Sequence, residues 1–195
     1  MIAALLAASA VAATTSTAGP AAEDGVSALG ALGPQPAGAT ALTATAGRPF
    51  HSVRLAHGLF DAMDLAAGFD YSPDGVYRPS IETRLRAFRA GPTQLVTRIL
   101  LGRGYSSTEN TASTNDGELA LQFAVAPFRR AAVFVEGALL GTTDFTRERT
   151  AGFAQATGGI AIALTAGVTL LGSYGILHGE RGQRAVGSSG ASFRF

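Results

Sequence analysis

The sequence predicts an all-β fold: a transmembrane antiparallel up-and-down β-barrel, with ten strands favoured and eight as the alternative. Three observations carry this. Apolar residues recur at every second position from about residue 39 to the end of the chain. Charged residues make up only 15% and mean hydropathy is +0.23, yet no unbroken apolar stretch reaches the ~20 residues that a membrane-spanning helix needs. The connections between segments alternate between tight and long. A barrel hides its apolar residues at alternate strand positions, which reconciles high hydropathy with the lack of a spanning helix.

Taken in order, residues 2–13 (IAALLAASAVAA) are apolar, short and rich in small side chains. They read as the core and cleavage region of a secretory signal, cut after Ala12 or Ala13. The basic n-region of such a signal is missing, because Met1 is followed directly by Ile2. Residues 14–38 are rich in Ala, Gly, Thr, Ser and Pro, with Glu23 and Asp24 the only charges. They read as a flexible leader with little fixed structure. The barrel is assigned to 39–195.

Alternation is then legible segment by segment. Residues 39–46 (ATALTATA) form the first strand and 51–58 the second. In 63–72, Met63, Leu65, Ala67, Phe69 and Tyr71 oppose Asp64, Ala66, Gly68 and Asp70. In 79–90, Ile81, Thr83, Leu85 and Ala87 oppose Glu82, Arg84 and Arg86. Segment 94–105 alternates least, since Val96 and Leu100 share a face with Gln94 and Arg98. In 117–126, Leu119, Leu121, Phe123 and Val125 oppose Glu118, Ala120, Gln122 and Ala124. In 131–142, Val133, Val135 and Leu139 oppose Phe134, Glu136 and Ala138. Segments 153–165 and 168–178 repeat the pattern, and the C-terminal strand completes it.

Tight connections fall at 59–62, 90–93, 127–130 and 166–167. Longer polar ones fall at 72–78, 106–116, 144–150 and 179–184. Short turns on one side of the membrane and long loops on the other are the pattern of an outer-membrane barrel. If 39–46 is not a strand, the count breaks and eight strands result.

The chain ends Ser188-Ser189-Gly190-Ala191-Ser192-Phe193-Arg194-Phe195. This polar-x-Gly-x-x-aromatic-x-aromatic stretch resembles the C-terminal insertion signal of Gram-negative outer-membrane β-barrels. Within it, Ser188, Gly190, Phe193 and Phe195 carry the likeness, and both Phe rings fall on one strand face. The hairpin Leu55-Ala56-His57-Gly58-Leu59-Phe60-Asp61-Ala62-Met63-Asp64-Leu65 is similar to an L-x-x-G-L-x-D-x-x-D-L hairpin of bacterial outer-membrane barrels. There, Gly58 and Asp61 suit a tight turn, Gly by accepting positive φ and Asp by capping its own backbone. The resemblance covers roughly 39–195. It implies a porin-like or OmpA-like barrel in the outer membrane, with lipid and lipopolysaccharide, the barrel assembly machinery and periplasmic chaperones as partners.

The polar strand faces place Arg54, Arg84, Arg86, Arg98 and Arg194 in the lumen with Asp64, Asp70, Glu82, Glu118 and Glu136, five of each sign. Charges in a narrow lumen must be paired or wet. They read either as a salt-bridged filling or as the lining of a narrow pore, and balanced signs argue against strong ion selectivity. Three histidines raise an enzyme alternative. His178 has Glu180 two residues on and Ser173 lower on its strand, and a His–carboxylate pair can orient a general base. No nucleophile motif accompanies it, and His178 falls on the lipid-facing register. His51 and His57 sit at opposite ends of one strand. No His, Asp or Glu group has metal-ligand spacing, so neither metal nor cofactor is expected.

The acidic loop at 106–116, with Glu109 and Asp116, offers calcium or sugar contact, or is simply mobile. Arg129 and Arg130 mark a turn at the membrane interface. All 15 basic residues are Arg, there is no Cys, and the net charge of +1 gives no reason to expect nucleic acid. The expected role is non-enzymatic, structural or narrow-pore, with a rim enzyme acting on lipid A or peptides as the alternative. A soluble periplasmic β-protein is the third reading.

Overall fold

The computed structural model describes residues 27–106, 113–144, 148–180 and 182–195. The signal expected at 1–13, the first part of the leader and Glu109 lie outside the described residues. Ten antiparallel strands form one closed barrel in which each strand pairs with its neighbours in sequence. They are β1 (Thr40–Arg48), β2 (His51–Phe60), β3 (Met63–Tyr71), β4 (Val76–Ala90) and β5 (Thr93–Ser106). Then follow β6 (Ser113–Phe128), β7 (Ala131–Asp144), β8 (Arg149–Ala163), β9 (Val168–Gly179) and β10 (Gly182–Arg194). The fold is all-β and up-and-down, with the ten strands that the alternation favours. Residues 40–46 of the expected 39–46 do belong to a strand, so the count holds.

The ring closes where β1 meets β10, in a register running from Ala41↔Arg194 to Arg48↔Gly187. The Phe195 amide donates to the Thr40 carbonyl at 3.0 Å, and the Thr40 amide donates back at 3.1 Å. The C-terminal residue therefore extends the closing ladder. A closed ladder leaves no edge, so each strand's backbone groups find partners without water.

The interior and exterior are exchanged relative to a soluble protein. Asp64 and Asp70 are 0% and 1% exposed, whereas Leu101 and Leu139 are each 65% exposed. Burying carboxylates while exposing leucines is stable only when the outer solvent is apolar. Aromatic rings mark both rims. On the long-loop side, Phe69, Tyr77 and Tyr105 stack across β3, β4 and β5 with centroids 6.3 and 5.2 Å apart. On the short-turn side, the register shifts at Gly58/Phe60, Arg86/Phe88 and Val125/Phe128. Each shift turns the following Phe outward, and Phe60, Phe88 and Phe128 are all exposed. An extra residue in one strand reverses side-chain parity, which is how consecutive inward and outward residues coexist there.

Two expectations change. The strands run further into the loops than the sequence suggests: β5 ends at Ser106 and β6 begins at Ser113, which takes Asp116 out of the loop and into the barrel. The leader does not stay unstructured through 38. From residue 27 it enters the barrel, and helix α1 (Ala28–Leu32) is buried through Ala28, Leu29 and Leu32. A five-residue helix has no stability of its own, so packing inside the barrel must hold it.

Closure can be tested at Gly190, where a Cβ would stand 2.0 Å from the Ala44 carbonyl oxygen across the seam. Gly190→Val is expected to abolish the fast-migrating unboiled band on SDS gels. A normal band would show that the seam tolerates a side chain there.

Candidate functional site

The lumen is the candidate site, because strand parity points every buried charge of the barrel wall into it. Arg54 Nη2 lies 2.9 Å from Asp70 Oδ1, and Arg54 Nε lies 3.1 Å from Glu82 Oε2. Arg84 holds Asp64 through two hydrogen bonds, Nε to Oδ1 at 3.1 Å and Nη2 to Oδ2 at 2.5 Å. Arg98 bridges Glu118 and Glu136, the latter at 2.9 Å. Charge-assisted bonds of this kind fix the side chains against one another.

All ten polar residues assigned to the inner face from sequence sit inside the barrel. Eight belong to this network on β2 to β7. The other two do something different: Arg86 Nη2 donates to the Pro34 carbonyl at 3.4 Å, and Arg194 Nε donates to Gln35 Oε1 at 3.0 Å. Both hold the segment that follows α1. Sequence reading also missed two members. Arg78 lies 2.7 Å from Asp70 and 3.7 Å from Asp116. Both had been assigned to loops, and extending the period-two pattern of β4 and β6 by two residues would have found them.

Residues 27–38 cross the short-turn mouth from one side of the ring to the other. At one end, the Ala28 amide donates to the Arg129 carbonyl in the β6–β7 turn at 3.1 Å. At the other, Gly38 N donates to Gly58 O and Gly58 N donates to Ala39 O, each at 2.9 Å, against β2. Between them, Gln94 Nε2 donates to the Leu29 carbonyl at 2.9 Å, and the Gln35 amide donates to Asp64 Oδ2 at 2.8 Å. Ala28, Leu29 and Leu32 pack on Ala124, Ala132, Ala161 and Ala163 from β6, β7 and β8. Small inward side chains at this level make the room that α1 fills.

The hairpin motif takes on a meaning that the sequence did not disclose. Gly58 lies in β2 rather than in the turn, and its φ is not positive. A Cβ at Gly58 would stand 1.9 Å from the Pro36 carbonyl oxygen, so the missing side chain admits the crossing chain. Asp61 Oδ1 accepts from the Ala37 amide at 3.4 Å instead of capping its own turn. Gly58, Asp61 and Asp64 together cradle residues 35–39.

Above this segment lies a cavity of about 350 Å³, with Ala31 and Leu32 in its floor. The β2–β7 wall presents the arginine–carboxylate network. The facing wall presents Thr43, Thr45, Thr157, Ser173 and Ser188 together with Leu171, Leu177 and Val186. Ser188, one of the assembly-signal residues, thus lines the lumen, where its Oγ lies 3.0 Å from Ser173 Oγ. Gly190 sits in the seam, and Phe193 and Phe195 face outward.

The proposed rim constellation does not assemble. His178 is exposed on the outer face, whereas Ser173 points inward to Ser188. Glu180 pairs with Arg149 at 2.8 Å. His51 stacks on Tyr71, and His57 Nδ1 lies 3.0 Å from Thr40 Oγ1. Among the described residues, no group of His, Asp or Glu has metal-site geometry.

No family model and no curated protein matches the sequence. Among solved structures, the chain is similar to a loop L8 deletion mutant of OmpT, an outer membrane protein of Vibrio cholerae, with TM-score 0.46 and 10% identity. That match covers 75% of this chain and 53% of the other. Outer-membrane expressed OmpT of Vibrio cholerae gives TM-score 0.44 at 9% identity, over 75% of this chain and 56% of that one. The Acinetobacter baumannii outer membrane protein Omp33 gives TM-score 0.39 at 7% identity, over 80% and 97%. The chain therefore spans about half the length of the two OmpT structures.

Removing Arg98 leaves Glu118 and Glu136 facing each other without their shared cation. Arg98→Ala is expected to destabilise the barrel by about 3 kcal/mol in urea unfolding from lipid vesicles. Adding Glu118→Gln and Glu136→Gln is expected to restore most of the loss. An unchanged midpoint in the single variant would mean that water in the lumen screens the pairs.

Proposed function

We propose that this chain is a non-enzymatic outer-membrane β-barrel whose lumen is closed to through passage at its periplasmic end in the resting state. The observation that carries the reading is the segment 27–38 laid across the short-turn mouth and tied to β2, β3, β4, β5 and the β6–β7 turn. Orientation follows from the connections. Short turns belong to the periplasm and longer loops to the outside, which places the C-terminus and the plugged mouth on the periplasmic side. The apolar outer surface between two aromatic rims supports residence in lipid.

A structural role with a solute-accessible cup fits this geometry. The cavity reaches Arg48, Pro49 and Phe50 at the loop side and ends on Ala31 and Leu32. The enzyme alternative has lost the Ser173–His178 pairing that motivated it, since the two side chains leave the strand on opposite faces. Assembly in this reading uses the C-terminal strand, where Phe193 and Phe195 face lipid and Gly190 lets β1 approach.

Two measurements test the reading. The detergent-extracted protein should fractionate with outer membranes and migrate faster unboiled than boiled. Recovery in the soluble periplasm without a heat shift would sink it. Deletion of Phe195 removes both seam hydrogen bonds to Thr40 and an interfacial ring. It is expected to cut the amount of assembled barrel several-fold, roughly as the loss of about 1–2 kcal/mol would. Full assembly of the truncated chain would remove the C-terminal signal from the account.

A further inference from the structure

Resting on that reading, we infer that residues 27–38 are a removable stopper, latched by the β2–β3 hairpin, and that the lumen behind them is a pore for small hydrophilic solutes. Four features of the molecule support this.

First, the barrel does not need the segment. The strand ladder is closed from β1 round to β10 without any residue of 27–38, so its departure breaks no strand pairing. Segments that open independently of the global fold are those with few buried apolar contacts and with hydrogen bonds that can be exchanged for water. Here the apolar anchor among the described residues of the segment is Ala28, Leu29, Leu32 and Pro34.

Second, two of the latch groups, Asp64 and Arg86, keep other partners when the segment leaves, while Gln94 and Arg194 exchange theirs for water at the opened mouth. Asp64 accepts from the Gln35 amide but also holds Arg84 through two bonds. Arg86 donates to Pro34 O and, at 2.9 Å, to Asp61 O. Leaving a buried polar group unpaired is the large cost in breaking a hydrogen bond, and these groups avoid it.

Third, the segment joins β1 through a pivot. Gly38 has φ of +78°, a left-handed conformation that glycine adopts without strain, and it directly precedes Ala39 and the first strand. Rotation there swings residues 27–37 away while β1 stays paired.

Fourth, the wall at this level is mostly small. Around α1 it offers Ala124, Ala126, Ala132, Ala161 and Ala163, with Phe134 and Leu171 as the larger side chains beside them. Once α1 is gone, the cavity of about 350 Å³ continues to the periplasmic mouth. Its wall fixes the solute class. Arginines and carboxylates are paired with one another on one side, and hydroxyls stand on the other among Leu171, Leu177 and Val186. Neutral polar solutes the size of a monosaccharide suit such a lining, and neither anions nor cations gain a strong advantage.

The test compares three full-length-barrel proteins in planar bilayers bathed in potassium chloride, and in liposome swelling with arabinose and raffinose. They are the wild type, a variant lacking residues 28–37, and Leu29→Asp/Leu32→Asp, which puts charge into the alanine pocket and leaves the arginine–carboxylate network of the barrel wall unchanged. Both variants should be heat-modifiable. They should show open-channel occupancy roughly tenfold or more above wild type, as a shift of the closed–open equilibrium by two buried charges requires. They should admit arabinose faster than raffinose, with weak ion selectivity. A folded variant that stays silent overturns the pore. A wild type that conducts steadily at the amplitude of the deletion variant overturns the stopper. If neither variant folds, the segment is core rather than stopper, and the inference fails. None of these outcomes disturbs the outer-membrane reading, which fails only if the wild type is soluble and shows no heat shift.

Discussion

Every other feature of this molecule depends on the closed hydrogen-bond ladder. In an apolar solvent an unpaired amide or carbonyl costs several kcal/mol, so a sheet with free edges is not viable. Closure must therefore occur between the first and last strands, and the sequence equips that junction for it. β10 offers Gly190 opposite Thr45 and Ser192 opposite Thr43, small groups that let the backbones meet. Thr43 Oγ1 donates to Ser192 Oγ at 3.0 Å beneath the seam, inside the barrel. The terminal Phe195 adds one more rung on the lipid side. Once the ring is shut, strand parity assigns every side chain to lipid or lumen, and no further choice is left.

That assignment explains why ionic groups are the lumen filling on the β2–β7 side. A ten-stranded ring is wider than the eight-stranded size whose interior side chains just fill. The excess has to be met with long side chains, with water or with an inserted segment. Arginine paired with carboxylate spans distance across the bore without leaving a charge unpartnered. Four arginines, Arg54, Arg78, Arg84 and Arg98, face six acids, two of which (Glu118 and Glu136) share one guanidinium, and Arg86 and Arg194 lower in the barrel bring the inward charges to six of each sign. On the opposite side, β8 to β10 carry hydroxyl and alanine side chains with Gln155, Leu171, Leu177 and Val186 and no inward acid, and there the remaining room is taken by a cavity above and α1 below.

The barrel was legible in the sequence because period two is a strong signal and the connections counted out an even number of strands. The inner charges were legible for the same reason. Even 94–105, the least regular segment, resolved simply: Gln94, Val96, Arg98 and Leu100 all face in. What could not be read was the destination of the leader. Residues 27–38 contain Ala, Gly and Pro in a pattern that looks unstructured, and only a cavity of matching shape gives them order. The sign was present elsewhere, in the run of inward alanines at 124, 132, 161 and 163, which leaves a hole at one height. The hairpin motif likewise read as a turn, because the partner of Gly58 and Asp61 is a distant piece of chain that local pattern cannot supply. Arg78 and Asp116 were lost to loops because polar ends of long strands look like loops.

The position of the stopper has a consequence for how the chain is built. Residues 27–38 lie immediately before β1, and β1 is the strand that must meet β10 last or first in closing the ring. Asp61 and Asp64, which receive the segment, sit in the next hairpin along, and Gly58 pairs with Ala39 across the point where the segment leaves β1. The contacts of residues 35–39 to β2 and β3 are therefore near in sequence, with low loop-closure cost, while those of Ala28 and Leu29 to β5 through β8 are far. Local contacts form before distant ones on this argument. The expected order seats the crossing chain against the β2–β3 hairpin early and swings it over the mouth as β6 to β8 arrive with their alanines. A segment seated last on its far side is also the one that comes away there first, which is why the weak end of the stopper is α1 and the firm end is the Gly58–Asp61–Asp64 cradle.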